Sequence, residues 1–317
     1  MTDFVPTEVT ELSELRRQAR LEVGKVLVGQ EEIVELLLIA AIAGGHVLIE
    51  GPPGSAKTLL ATATARVIGA SFKRVQFTPD TTAADLVGTA TTRMGEKIFV
   101  PGALFTNVLL ADEINRTPPR TQAALLEAMQ ERRVTVDGKA HQLPNPFLVV
   151  ATQNPFEHEG IFALPESQLD RFLFKLNLDY AGEEDEVQML RLPHTGVTPD
   201  MLGEVNPLLG TVRLDRLRRE LDSTELPEPV ARYLIALVRK TRELPGVELG
   251  VSSRGAIHLA GAAKANARLD GRRWVTVADV QAMTPHVLRH RLILSDGTTA
   301  DEVLARTLEA VRPPEGY

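Results

Sequence analysis

The stretch Val47-Leu48-Ile49-Glu50-Gly51-Pro52-Pro53-Gly54-Ser55-Ala56-Lys57-Thr58-Leu59-Leu60 constrains the fold of this chain more than any other. Val47 to Glu50 read as a buried strand, a Gly/Pro turn breaks it, and Lys57-Thr58 open a helix with an apolar pattern. Strand, loop and helix in this order suit a phosphate-binding loop. Backbone N–H groups from Gly51 to Thr58 can wrap a β-phosphate at a helix N-terminus, where aligned peptide dipoles favour anions. Lys57 would reach the β- and γ-phosphates, and the Thr58 hydroxyl would ligate Mg²⁺. Ala56 stands where the usual pattern has glycine. Its methyl group is accommodated if the residue has helical dihedrals, since only positive φ strictly favours glycine.

A strand of this kind needs neighbours, and the chain supplies them. Phe72 to Phe77, Val108 to Ala111, Phe147 to Ala151 and Phe172 to Leu178 are further short β-like runs. They alternate with helical segments such as Pro118 to Glu131, which puts Ala124, Leu125, Ala128 and Met129 on one face. Near-continuous apolar strands alternating with helices predict an α/β fold with a parallel five-stranded sheet covered on both faces. Ligands in such sheets bind at the carboxyl ends of the strands, which here read Glu50-Gly51-Pro52, Asp112-Glu113 and Thr152-Gln153-Asn154.

Ahead of the loop, Leu12, Leu15, Ala19, Val23 and Val26 recur at near-helical spacing over Thr10 to Val26. Glu31 to Ala43 reads as a second, nearly all-apolar helix ended by Gly44-Gly45. Asp137-Gly138 between Arg133–Val136 and Lys139–Leu143 is a strong hairpin signal, and Thr89–Arg93 with Lys97–Val100 is a weaker one. Decoration of the fold and contact with a partner are both open readings of these hairpins. Glu183 to Glu186 starts a helix or forms a solvated linker, and residues 192–207 read as loop. Beyond 208 the chain is expected to form a separate all-α unit from Leu214–Leu221, Val230–Glu243, Ser253–Arg268, Thr276–Leu288 and Ala300–Val311. Thr276 with Asp279 resembles a capping box, and Ser252 or Ser253 is the expected N-cap of the helix that carries Arg254.

Composition narrows the function classes. With 317 residues, 44% hydrophobic and 24% charged, the chain is an ordinary globular one of about two domains. The absence of cysteine removes disulfides, thiolate metal sites and a cysteine nucleophile. The N-terminus lacks the basic and apolar regions of a signal peptide, and Leu36 to Ala43 falls far short of the ~18 residues of a membrane span. A cytoplasmic protein without membrane insertion is the expectation. A net charge of −7 and no basic cluster denser than Arg213, Arg216, Arg218 and Arg219 argue against nucleic acid as a partner.

Two adjacent carboxylates at the end of an apolar strand are costly unless they meet a cation or separate polar partners. With Mg²⁺ present, Asp112 can hold the ion through its waters, and Glu113 can polarise an attacking water. Asn154, ending the next strand, is a neutral group that could orient the same water. Two readings stay open for Arg171: a structural pairing in its own neighbourhood, or projection toward a neighbouring subunit's γ-phosphate. Arg254 is either a solvated charge or the cation by which a second domain senses the phosphates.

Taken together, the pattern resembles the AAA+ ATPases and, within them, the MoxR family. The resemblance rests on Gly51 to Thr58, Val75-Gln76-Phe77-Thr78-Pro79-Asp80, Leu109 to Arg116, Ala124 to Arg132, Ala151 to Pro155 and Leu164 to Phe172. It covers nearly the whole chain, and Ala56 is itself usual in MoxR proteins. It implies an AAA+ P-loop core over residues 1–190, a linker at 191–207 and an all-α lid at 208–317. Lys57 and Thr58 would be Walker A, Asp112 and Glu113 Walker B, Asn154 sensor 1, Arg171 a trans-acting finger and Arg254 sensor 2. Nucleotide contacts would run through Gly51, Pro52, Pro53, Gly54, Ser55, Ala56, Lys57, Thr58 and Leu59, with Gly29 and Gln30 near the adenine. The implied cofactors are ATP and Mg²⁺. The implied assembly is a ring, often a hexamer, acting as a chaperone-like ATPase on a protein client with a von Willebrand A domain partner. The lid motif reads Ser252-Ser253-Arg254-Gly255 where Ser-Pro-Arg-Ala is expected, which bears on how the lid helix starts.

Overall fold

The computed structural model describes residues 9–52, 54–93, 96–154, 161–191, 199–295 and 297–316. Helices α1 (Val9–Gly24) and α2 (Glu31–Ala43) lead into β1 (Val47–Glu50). Leu15, Ala19 and Val23 are buried, so the periodic face of α1 is the face that packs, and Val26, just past the end of the helix, is buried as well. The apolar α2 is covered along Leu36 to Ile42 and stops where Gly44 turns left-handed at φ 71°.

The loop after β1 feeds α3 (Lys57–Ile68), followed by β2 (Phe72–Gln76), α4 (Ala83–Val87), β3 (Gly88–Arg93), β4 (Glu96–Pro101) and β5 (Val108–Asp112). Helix α5 (Pro119–Glu131), strands β6 (Arg133–Val136), β7 (Lys139–Gln142) and β8 (Leu148–Gln153), helix α6 (Glu166–Leu169) and β9 (Phe174–Asn177) complete the core. Five of these strands form one sheet in the order β2-β5-β8-β1-β9, and its recorded pairings are all parallel. Successive side chains go to opposite faces, as the period of a strand requires. Val47, Ile49, Leu110 and Val150 join the side covered by α2 and α3, while Leu48, Leu109, Ala111 and Val149 join the side covered by α5 through Leu125, Leu126 and Met129.

The two hairpins, β3 with β4 and β6 with β7, stand outside this sheet. Asp137 and Gly138 both have positive φ, the geometry that an Asp-Gly hairpin turn needs. The hairpins also meet each other: the Phe99 ring stacks on His141 with centroids 3.7 Å apart, and Lys97 pairs with Asp137 at 3.2 Å. The Met94-Gly95 turn lies outside the described residues.

After the sheet, α7 (Glu183–Met189) resolves the acidic run 183–186 as helix. The stretch expected to be loop contains α8 (Pro199–Gly203), and the chain beyond it is fastened to the core. Val205 and Leu209 are buried, and the amides of Leu208 and Gly210 donate to Val67 O and Ile68 O at the end of α3. Residues 199–210 are thus anchored by buried apolar side chains and satisfied backbone groups, while residues 192–198 of the expected loop lie outside the described residues.

The C-terminal helices are α9 (Thr211–Glu220), α10 (Glu228–Lys240), α11 (Ser253–Leu269), α12 (Val277–Leu288) and α13 (Ala300–Ala310). The Thr276–Asp279 capping box is present, with each side chain accepting the other's backbone N–H. This is the helical C-terminal part that the sequence predicts, with one short antiparallel ladder of β10 (Val247–Leu249) and β11 (Ile293–Leu294) added to it. It packs on the core, since Leu259, Ala262 and Val280 share one buried cluster with α1, α2 and the sheet. Helix α2 is too apolar to be left uncovered, and α11 covers it.

Candidate functional site

Strand β1 is buried and paired on both sides, so the loop that follows starts from a rigid point in the sheet. Gly51 admits no side chain, because a Cβ there would stand 2.4 Å from Leu178 O. Gly54 has φ +82°, the left-handed conformation that glycine adopts without strain. Ser55 Oγ donates to Pro52 O at 2.8 Å and closes the turn. Lys57 Nζ donates to Gly51 O at 2.8 Å and Pro52 O at 2.7 Å, so the ammonium lies against the loop's own carbonyls. Burial pushes the Lys57 pKa down, while Asp112 and Glu113 pull it up. Pro53 lies outside the described residues.

Ala56 departs from expectation. Its φ of 59° and ψ of 21° are left-handed, not helical. The missing glycine therefore falls where glycine is favoured, and Ala56 carries the strain of a Cβ in that region. Helix α3 begins immediately afterwards with no acidic residue in its first turn. Its leading N–H groups, with those of Lys57, Thr58 and Leu59 among them, have no carbonyl of the preceding turn to bond and suit an anion.

The acidic pair is held by a hydroxyl. Thr152 Oγ1 donates to Asp112 Oδ1 at 2.6 Å and accepts the Glu113 N–H at 2.9 Å, so one side chain on β8 fixes both residues at the end of β5. Glu113 is itself left-handed, at φ 58° and ψ 50°. Thr58 Oγ1 lies 3.4 Å from Asp112 Oδ2, bringing the start of α3 to the end of β5. A hydroxyl and a single carboxylate, both hard oxygen donors, fit Mg²⁺ of the kind completed by phosphate oxygens and water. Among the described residues there is no cluster of three metal-ligating side chains that would hold an ion unaided.

Cationic and amide groups also reach both acids. Arg74 on β2 donates to Asp112 Oδ2 from Nε at 3.1 Å and from Nη2 at 2.7 Å. Gln76 Nε2 donates to Glu113 Oε2 at 2.7 Å, and Arg116 Nε pairs with the same oxygen at 3.0 Å. The sequence placed Gln76, Arg116 and Thr152 within the resembling stretches but gave them no role, and it did not mark Arg74. The alternation Arg74-Val75-Gln76 was a visible signal of two polar side chains on one strand face. Only the pairing of β2 beside β5, with Gln76 opposite Asp112, shows what that face meets.

Asn154 is buried just past β8, and its carbonyl accepts from Asn115 Nδ2 at 3.4 Å in the turn that follows Glu113. Arg171 is half-buried, and its Nε has no hydrogen-bond partner. Arg254 pairs with Asp170 Oδ2 at 3.5 Å. The structure thus gathers Lys57, Thr58, Asp112, Glu113 and Asn154 at one end of the sheet, and draws Arg171 and Arg254 to a second cluster around Asp170. Gly29, at φ +74°, lies under the Asp185 side chain of α7, and Gln30 is the first-turn flank of α2 without a side-chain cap bond.

The chain resembles known proteins over most of its length. The model for the ATPase family associated with various cellular activities (AAA) matches residues 46–174, and that for the AAA lid domain matches residues 239–307. The YeaC protein of Bacillus subtilis is 42% identical over 311 residues, covering 96% of each chain. Chaperone MoxR1 of Mycobacterium tuberculosis is 41% identical over 314 residues, covering 94% of this chain and 82% of its own. A crystal structure of a candidate ATPase from Cytophaga hutchinsonii superposes with a TM-score of 0.88 at 36% identity, over 97% of both chains.

Proposed function

The chain belongs to the MoxR family of AAA+ ATPases, and from that premise we propose that it couples Mg²⁺-dependent ATP hydrolysis to the remodelling, maturation or activation of a protein client. The observation that carries this reading is the Thr152 hydroxyl, which ties Asp112 and Glu113 together across from Thr58. Such a frame fixes a metal-side carboxylate and a second, differently oriented carboxylate a residue apart. Phosphoryl transfer needs mainly that kind of positioning.

In this reading the N–H groups of the loop between Gly51 and Leu59, its two prolines lacking one, bind the phosphates, and Lys57 turns from the loop carbonyls to the β- and γ-phosphates. Mg²⁺, held by Thr58 and through water by Asp112, would neutralise charge on the phosphate oxygens. Glu113 polarises the attacking water and Asn154 orients it. Arg254 senses the phosphates from the lid, and Arg171 serves the site of a neighbouring subunit. Gly29 and Gln30 lie by the adenine. The division into a core at 1–190, a linker at 191–207 and a lid at 208–317 belongs to the same proposal. So do a ring, most simply a hexamer, and a von Willebrand A domain partner, readings that membership of the family supports. Among the described residues no helix is long and apolar enough to cross a membrane.

The test is Glu113→Gln. That variant is expected to bind ATP with near wild-type affinity and to lose turnover by roughly 100-fold or more. Equal turnover would remove Glu113 from the role assigned to it. The same variant, held in the ATP state, should retain the client and partner in a pull-down from the native cell.

A further inference from the structure

Asp170, which pairs with Arg254, has no role in that reading. Asp170 caps α6 and directly precedes Arg171. Its carboxylate is the meeting point of side chains from two places in the lid. Arg291, in the turn after α12, donates from Nε to Oδ1 at 2.8 Å. Ser252, the N-cap of α11, brings its hydroxyl to 3.3 and 3.4 Å from the two carboxylate oxygens, and Arg254 on the first turn of α11 pairs at 3.5 Å.

The backbone around Arg171 is held by the same arginine. Arg291 Nη2 donates to Asp170 O at 3.2 Å and to Phe172 O at 2.6 Å, and Nη1 donates to Leu173 O at 3.3 Å. The Arg291 side chain is 1% exposed. A buried guanidinium has no water to fall back on, so these bonds are exchanged together or not at all. Gly255 lies against this arrangement: a Cβ there would stand 2.4 Å from Val251 Cγ1 and 2.9 Å from Arg291 Cδ, so both crowd the place where alanine was expected in the lid motif. Arg171 therefore sits in a segment whose backbone is gripped by the lid, while its own Nε is left without a partner.

We propose that Asp170 is a positioning residue that couples the lid to Arg171. The proposal rests on the reading of Arg171 and Arg254 given above. Arg254 cannot both pair with Asp170 and contact a phosphate at full strength. Engagement of nucleotide by Arg254 therefore loosens one of the bonds at Asp170, and the start of α11 moves with the Ser252 cap. Because Ser252 and Arg291 hold the same carboxylate, that movement reaches the peptide that carries Arg171. The lid over one nucleotide site is in this way joined to the arginine that serves the next.

The experiment is a double-mutant cycle on the full chain with Asp170→Asn and Arg171→Ala, reading kcat, KM for ATP, the affinity for a fluorescent ADP analogue and the thermal midpoint. Asp170→Asn is expected to lower kcat by ~10-fold with KM and ADP affinity within ~2-fold of wild type, and to add less than ~2-fold to the loss in Arg171→Ala. Multiplying losses in the double variant, or an unchanged kcat in Asp170→Asn, would overturn the coupling. An unchanged kcat in Arg171→Ala would instead overturn the reading of Arg171, and the coupling with it. If Asp170→Asn does not fold, Ser252→Ala takes its place, with an expected ~3-fold loss of kcat that vanishes in the Arg171→Ala background. Persistence of that loss in the Arg171→Ala background would overturn the proposal.

Discussion

The guanidinium of Arg74 lies against the carboxylate of Asp112, with two nitrogens on the single oxygen Oδ2 at 2.7 and 3.1 Å. That oxygen is also the one nearest the Thr58 hydroxyl. Arg74 is 48% exposed at its side chain while Asp112 is 9% exposed, so the cation is free to swing away and the carboxylate is not. Arg74 thus occupies the position of a counter-ion that the proposed Mg²⁺ would share or displace.

Removing it should ease metal loading. Arg74→Gln is expected to lower the Mg²⁺ concentration that half-saturates tight ADP binding by roughly 3-fold or more, as a competing charge is lost. The metal-free protein should at the same time lose about 1 kcal/mol of stability, a figure discounted for the exposure of Arg74. A Mg²⁺ titration of fluorescent ADP binding, with thermal melts in chelator, checks both. An unchanged Mg²⁺ requirement would mean that Arg74 yields without cost.

The Thr152 hydroxyl should matter to chemistry more than to binding. Thr152→Val keeps the shape but leaves the Glu113 N–H and one oxygen of Asp112 without a partner. The expected outcome is a stability loss of about 1–3 kcal/mol and a kcat lowered by ~10-fold or more with modest change in ATP affinity. Chemical denaturation and steady-state kinetics on the same preparation separate the two effects.

At Ala56 the left-handed backbone reverses the usual argument for a helical residue. Ala56→Gly removes a strained Cβ and is expected to stabilise the protein by up to about 1 kcal/mol, the gain being reduced by the greater freedom of glycine in the unfolded chain. ADP affinity should stay within ~2-fold, since the loop path is unaltered. A stability loss on this substitution would show that Ala56 is held by packing and not strained by its Cβ.

Acid should destabilise the fold through buried neutral histidines. Val149 N–H donates to His46 Nδ1 at 2.9 Å, which places the proton on Nε2, and Nε2 donates to Met129 O at 3.2 Å. Burial, with Arg132 nearby, holds the His46 pKa well below 6.5. His258 is pushed down to about 3 by burial and by Arg291. Because these groups bind a proton in the unfolded chain and not in the folded one, stability is full above pH 6.5 and falls as pH drops below it, by up to ~1.4 kcal/mol per unit for each histidine. Urea denaturation between pH 7 and 5 should show this slope, and His46→Asn should reduce it.

Much of this protein is written locally in its sequence. The strand, loop and helix around Lys57, the Asp137-Gly138 hairpin, the Thr276–Asp279 capping box and the apolar face of α1 each depend on neighbours a few residues away. Short-range sterics and periodicity suffice to specify them. Other features required the folded chain. Periodicity reports that a face is buried but not what covers it, so Arg74 and Asp112, 38 residues apart, become partners only through the parallel pairing of β2 with β5. Arg291 and Asp170, 121 residues apart, meet only because the lid packs over the end of β9, and the dihedrals of Ala56 are set by the closed loop around it. The sequence alone determined the elements that local geometry encodes and pointed to Lys57, Thr58, Asp112 and Glu113 as the groups that could bear chemistry, because those readings depend on neighbours a few residues away. The tertiary structure decided which charge faces which, because ion pairs and buried hydrogen bonds depend on distances that only packing sets.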